Sequence, residues 1–181
     1  MSPTLTLRRY SAQDAAALNE ALQESREEMT PWMTWFRPDY GLKDSESWIA
    51  FQMRAFDLAE EFCFSIRDDK DRLLGGCGLN RIDRENRVAN LGYWVRTSCT
   101  CKGIASEAVR QLCIWAYDKT LLNRLEIVAS VKNGASLKVA AKCGARREGV
   151  LRAKIFLHGE FHDAVLHSIV RNDGPHLRRQ A

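Results

Sequence analysis

Residues 91–105 read LGYWVRTSCTCKGIA, and residues 125–145 read LEIVASVKNGASLKVAAKCGA. Each stretch passes from an apolar strand-like segment, through a short turn, into a segment of helical character. In the first, Val88, Leu91, Tyr93 and Val95 predict a strand over Arg87–Arg96, and SCTCKGIA leads into a helix from about Ala105 to Thr120. In the second, Leu125–Val131 is a strand. Asn133 is a natural N-cap for a helix running to about Cys143, and Gly144 is placed to end it. The run from residue 87 to 131 is therefore expected as a right-handed strand–helix–strand unit.

The two turns carry the chemistry. Thr100-Cys101-Lys102-Gly103-Ile104-Ala105 enters a helix, where unpaired backbone N–H groups and the positive dipole end suit a pyrophosphate. Gly103 permits close backbone approach, small Ala105 lets the chain turn into the helix, and Lys102 adds charge. The spacing is not that of a P-loop. In the second turn Ser136 lies one helical turn after Asn133, so both side chains can face one groove.

Outward from this centre, Leu5–Arg9 alternates as a first strand. A helix is expected over Ser11–Met29, with Ser11 as cap and Asp14 completing a variant capping box. TPWMTWFRPDYG follows as an aromatic loop, then a helix from Ser45 to about Leu58. Strands Phe62–Arg67 and Leu73–Asn80 flank the turn DDKD, and Arg147–Leu157 and Phe161–Val170 flank the turn at HGE. This order predicts a mixed sheet covered by helices.

The 181 residues suit one domain with one sizeable core. Apolar residues at 45% and charged residues at 28% are an ordinary globular balance. The net charge of +4 is mild, and its basic residues are interleaved with acidic ones, so no nucleic-acid stripe is expected. Neither a membrane span nor a secretory leader is apparent, which predicts a cytoplasmic protein. The six cysteines lack CxxC spacing and are expected as reduced, mostly buried thiols, with Cys99 and Cys101 in a loop. His158 and His162 flank a hairpin turn without a third ligand, so no metal is expected.

Together, VRTSCTCKGIASEAV and VKNGASLKVAAKCGA resemble the GCN5-related N-acetyltransferases (GNAT). The similarity is greatest to the RimJ/RimL-like branch that acetylates ribosomal-protein N-termini, and it extends from about residue 5 to 171. LTLRRYSAQDAAAL, GGCGLNRIDRENRVANLGYWV and GVLRAKIFLHGEFHDAVLHSIV follow that branch in style and order. The resemblance implies an α/β (α+β) GNAT fold: a mixed, mostly antiparallel sheet of about seven strands with helices on both faces. One domain is expected over residues 1–173, with 174–181 as a flexible tail, acting as monomer or homodimer.

The family's acetyl-CoA loop, Q/R-x-x-G-x-G/A, falls on Thr100 to Ala105. Gly103 and Ala105 match it, whereas Thr100 replaces the leading Gln/Arg and Cys101 a frequent glycine. Only a positive φ at Cys101 would make that side chain costly. The resemblance places strand residues Tyr93, Trp94 and Val95 beside a bulge, pairing with the pantetheine arm. It sets Asn133 near that arm or a catalytic water, and Ser136 near the CoA sulfur as donor to the leaving thiolate.

A backbone N–H near Trp94 or Val95 is the expected carbonyl donor. Asn90 stands where some relatives carry a carboxylate and can hold a water but take no proton. Asp163 and, less directly, Glu28 are candidate bases. Trp35 and Phe36, in the aromatic loop, are expected at the acceptor groove. The expected activity is acetyl-CoA-dependent acetylation of a primary amine, foremost a protein N-terminus. The alternatives are a small-molecule amine acetyltransferase and a non-catalytic acetyl-CoA-binding module.

Overall fold

The computed structural model describes residues 4–173; the segment 174–181, expected as a tail, lies outside the described residues. In chain order the elements are β1 (Thr6–Arg9), α1 (Ala15–Glu24), α2 (Arg26–Met29), α3 (Leu42–Asp57), β2 (Phe62–Arg67), β3 (Leu73–Asp83), β4 (Val88–Val95), α4 (Ile104–Lys119), β5 (Arg124–Ser130), α5 (Gly134–Lys142), β6 (Arg146–Leu157) and β7 (Glu160–Val170). Short 3₁₀ turns occupy Ala12–Asp14, Thr97–Cys99 and Arg171–Asp173.

All seven strands form one sheet in the order β1-β2-β3-β4-β5-β7-β6. Every pairing is antiparallel except β4 with β5. That single parallel pair requires a crossover, and α4 supplies it. Strand alternation sends Phe64, Ile66, Leu79 and Leu91 to one face, where Val109, Leu112 and Cys113 of α4 cover them. On the other face Leu18 and Leu22 of α1 and Ile49 of α3 pack with Tyr10 and Leu73. The sheet is thus mixed, mostly antiparallel, and covered by helices on both faces.

The first helix departs from expectation. It does not run unbroken from Ser11 to Met29, because the buried Ser25 hydroxyl bends its own turn. Ser25 Oγ donates to Ala21 O at 2.7 Å and accepts from Thr97 N at 3.1 Å. That serine is spent on a tertiary contact, and α1 ends before it. At the next helix the reverse holds. α3 starts at Leu42, ahead of the expected Ser45, because the Asp44 carboxylate accepts Gly41 N–H at 2.9 Å and secures an earlier start. The hairpin turn at His158-Gly159 has φ of 49° and 86°, the geometry of a tight two-residue turn.

Candidate functional site

The parallel pair does not run the length of its strands. Only Val88, Ala89 and Asn90 of β4 meet Arg124, Leu125 and Glu126 of β5. Beyond them β5 stays paired to β7 as far as Ser130, and β4 stays paired to β3 as far as Val95. The two strands part after Asn90, so the facing edges of Leu91–Val95 and residues 127–130 lack a strand partner. The chain leaves β4 into α4 and leaves β5 into α5, so both helices begin at the open end of this cleft.

At the start of α4 the loop is held in a special conformation. Cys101 has φ 59° and Gly103 φ 78°, both left-handed. The expected condition under which the Cys101 side chain is costly is therefore met. Among the described residues no backbone acceptor meets the amides of residues 101–103, and the first amides of α4 have no acceptor one turn back. Such a cradle of N–H groups fits a diphosphate. Lys102 is exposed and its ammonium donates to Ser98 O at 2.8 Å, which closes the loop on itself. Ile104 is buried in the α4 core, so its amide alone faces the loop.

At the start of α5, Asn133 Oδ1 accepts Ser136 N–H at 3.0 Å, the N-cap bond. Ser136 is met from across the cleft by Tyr93. The phenol donates to Ser136 O at 2.9 Å and lies 3.0 Å from Ser136 Oγ. Burial pushes the Tyr93 phenol up to about 12, against the pull of its bond to Ser136, so it stays protonated in the neutral range.

Beside the cleft, on the α1–α3 face, is a cavity of about 480 Å³. Its floor is paved by glycines. Gly78 of β3 stands opposite Gly92 of β4, and a Cβ on Gly92 would meet nothing within 4 Å. At Gly76 a Cβ would lie 2.7 Å from Trp94 Nε1, so the Trp94 indole lies across that glycine. Aromatic walls include Trp35 and Trp48, and Glu61 brings a carboxylate that accepts Gln52 Nε2 at 2.8 Å. Cys63 and Cys77 also line it. Burial, and then the Glu61 charge, pushes the Cys63 thiol up to about 12, and burial raises Cys77 as well. Neither offers a thiolate nucleophile near neutral pH.

The sequence-predicted residues divide. Trp94, Tyr93 and Trp35 line the cavity. Asn90 sits at the last paired position, the apex of the cleft, and its Nδ2 donates to Asn80 Oδ1 at 2.9 Å. Trp94 and Val95 lie on the unpartnered edge, but β4 pairs regularly with β3 from Asn90 to Val95. The strand irregularity lies in β3 instead, between Asn80 and Asp83, where Arg81 has φ 50°.

Phe36 is 2% exposed and packs edge-to-face on Tyr40, inside the α1–α3 core, whereas Trp35 is 45% exposed. Asp163 is outside the cavity lining, and its carboxylate accepts Ala153 N–H at 2.8 Å within the bulge of β6. Glu28 accepts from the Thr97 hydroxyl at 2.8 Å. His158 Nε2 lies 2.8 Å from Thr30 O and, facing a carbonyl, is the donor; the bond ties the β6–β7 turn to the aromatic loop. Among the described residues no group of three metal-binding side chains converges.

Sequence reading missed the hydroxyl role of Tyr93, the glycine floor, and Glu61 with Gln52. The floor had a signal. GGCG at 75–78 inside a strand is too glycine-rich for strand stability alone and marks close approach by another group.

A split strand pair with two helix N-termini at its mouth, next to an aromatic cavity, is shaped to receive an anionic molecule with a second molecule beside it. The family model "Acetyltransferase (GNAT) domain" matches residues 4–146, and the chain belongs to that family. It is an acetyl-CoA-dependent N-acetyltransferase. The "Putative ribosomal N-acetyltransferase YdaF" of Bacillus subtilis is 29% identical over 172 residues, covering 93% of this chain and 92% of that one. The ribosomal-protein-serine acetyltransferase of Escherichia coli is 33% identical over 99 residues, 55% of each chain. Among solved structures, the microcin C7 self-immunity acetyltransferase MccE in complex with acetyl-CoA and AMP is 26% identical, with a TM-score of 0.86 over 92% of both chains.

Proposed function

We propose that this enzyme acetylates a protein or peptide α-amine, of the ribosomal-protein type, by direct transfer within a ternary complex. The observation that carries this reading is the make-up of the cavity lining. Among the described residues it holds no histidine or lysine to serve as a proton carrier, its cysteines are held as thiols, and Glu61 is its one carboxylate without a cationic partner. Glu61 suits the attraction of an ammonium. Attack still requires a neutral amine. An α-amine, with a pKa of about 7.7–8.0, is roughly one-third neutral at pH 7.5, against about one lysine in a thousand. The names of the relatives from B. subtilis and E. coli point the same way.

In this reading the amides of Cys101 to Ala105, including Lys102, Gly103 and Ile104, hold the pyrophosphate, and Asn133 and the open edge of β4 flank the pantetheine arm. A backbone N–H at Trp94 or Val95 polarises the thioester carbonyl as the amine nitrogen bonds to its carbon. The C–S bond breaks, and the Ser136 hydroxyl donates a hydrogen bond to the departing thiolate. Asn90 holds a water at the cleft apex through which the amine proton leaves. Trp35 and Trp48 wall the acceptor chain. An acceptor made on the ribosome is met in the cytoplasm, the compartment we propose; among the described residues no helix is long and apolar enough to cross a membrane.

The test pairs peptides bearing a free N-terminus with the same peptides N-blocked and carrying a free lysine, read by CoA release. Free N-termini are expected to be acetylated faster, with rates rising with pH toward the acceptor's own pKa. Equal or faster acetylation of the blocked lysine peptides overturns the α-amine reading, and turnover confined to small aminoacyl compounds overturns the protein acceptor.

A further inference from the structure

The Tyr93 hydroxyl has two acceptors within reach on one residue, and the choice between them decides where the Ser136 proton goes. When the phenol donates to Ser136 O at 2.9 Å, Ser136 Oγ at 3.0 Å can donate back to the phenol oxygen. The serine proton is then occupied. When the phenol instead donates to Ser136 Oγ, the serine proton is free to point elsewhere. Both arrangements use the same heavy-atom positions, so a rotation of two hydroxyl hydrogens exchanges them.

The location of the pair gives the exchange a purpose. Tyr93 is three residues beyond Asn90, the last residue of β4 paired to β5, and Ser136 is in the first turn of the helix that follows β5. The phenol therefore bridges the cleft at its open part. Ser136 is oriented by a second bond, from its amide to Asn133 Oδ1, and its hydroxyl meets that of Tyr93. The Tyr93 ring packs against the α4 core, which fixes where the phenol oxygen can be.

We propose that Tyr93 is a positioning residue for the leaving group: as the C–S bond breaks, its hydroxyl turns from Ser136 O to Ser136 Oγ and releases the serine O–H to donate to the thiolate. The electron pair of the broken bond stays on sulfur, the thiolate leaves as an anion, and both hydroxyl protons keep their oxygens. Two hydrogen bonds in series polarise one another, so the thiolate feels a better donor than a lone serine. The raised phenol keeps its proton throughout the neutral range.

This inference rests on the role given above to Ser136, and the experiment separates the two. Tyr93→Phe, Ser136→Ala and the double variant are compared for kcat, for the KM of the acceptor and for acetyl-CoA dissociation constants. Tyr93→Phe keeps the ring and its packing, and retained acetyl-CoA binding certifies the fold. Loss of one neutral hydrogen bond, here the one from the phenol to Ser136 Oγ, is worth about twofold to tenfold. Tyr93→Phe is expected to lower kcat by about that factor with acetyl-CoA affinity within about twofold of wild type. The double variant is expected to be no slower than Ser136→Ala, because Tyr93 acts through that hydroxyl.

Full turnover in Ser136→Ala overturns the underlying role of Ser136. A slow Ser136→Ala beside a fully active Tyr93→Phe overturns the Tyr93 inference alone. So does an additive double variant, or a Tyr93→Phe whose loss appears in acetyl-CoA affinity with kcat unchanged, since either describes a brace for the cleft and nothing more.

Discussion

The two turns at the mouth of the cleft reach similar positions by opposite means. The turn before α4 is a backbone construction: Cys101 and Gly103 take left-handed φ values and, among the described residues, no backbone acceptor meets the amides of residues 101–103, while Lys102 bonds to its own loop. The turn before α5 is a side-chain construction. Asn133 has an ordinary negative φ, its carbonyl oxygen caps Ser136 N, and Ser136 bonds in turn to Tyr93. A site made of amides tolerates changes of side chain that preserve its dihedrals. A site made of side chains does not. That difference explains how Thr100 and Cys101 can replace the family's usual residues without removing the cradle.

The sharpest way to break the comparison is a charge inside the amide cradle. Asp tolerates left-handed φ better than most residues and is favoured at an N-cap, so Gly103→Asp is expected to fold with little change in melting temperature. Its carboxylate, about 4 Å from a phosphate, opposes binding by about 4 kcal/mol at an effective dielectric of 20. Acetyl-CoA affinity, measured by calorimetry, is expected to fall at least about a hundredfold. Unchanged affinity in the folded variant would remove residues 101–105 from the cofactor site.

The same contrast accounts for what can be read from the sequence. The strand and helix order, the parallel crossover and both turns are legible because they follow from alternation, capping and glycine placement, all local in the chain. The left-handed φ at Cys101 is legible only as a condition, since nothing about the residue Cys announces it. Trp35 and Phe36 are neighbours in one aromatic run, yet one is half exposed and the other is core. The run lies outside any periodic element, so no pattern says which ring turns inward. Asp163 reads as a strand carboxylate free to act as a base, and the bulge at Ala153, ten residues back across the hairpin, is what it serves. Tyr93 with Ser136, and Glu61 with Gln52, are partnerships between separate elements, which a single sequence does not pair.

Trp35 offers a smaller effect on the proposed acceptor side, where the cavity is again built of side chains. Truncating one half-exposed aromatic wall removes about 0.5–1.5 kcal/mol of contact. Trp35→Ala is therefore expected to raise the acceptor KM by about threefold to tenfold while acetyl-CoA affinity stays within about twofold. A change in acetyl-CoA affinity with an unchanged acceptor KM would move the acceptor away from this wall.

The smallest effect should also have the most telling sign. Cys101 holds φ 59°, a conformation that disfavours a residue with a Cβ by about 1–2 kcal/mol. Cys101→Gly removes that strain but frees the unfolded chain, which opposes it by about 0.5–1 kcal/mol. The balance is a stabilisation of up to about 1.5 kcal/mol, a rise in melting temperature of up to about 3–6 °C for a domain of this size. Because glycine lets the cradle form without strain, acetyl-CoA affinity is expected to rise slightly or hold. In the other turn the same replacement should have the opposite sign: Asn133→Gly relieves no strain at its φ of −86° and deletes the carbonyl that caps Ser136. It is expected to lose a few tenths of a kcal/mol and, by loosening Ser136, to lower kcat. If Cys101→Gly destabilises the protein as Asn133→Gly does, the Cys101 side chain contributes something its dihedral conceals, and the turn before α4 is not a construction of backbone alone.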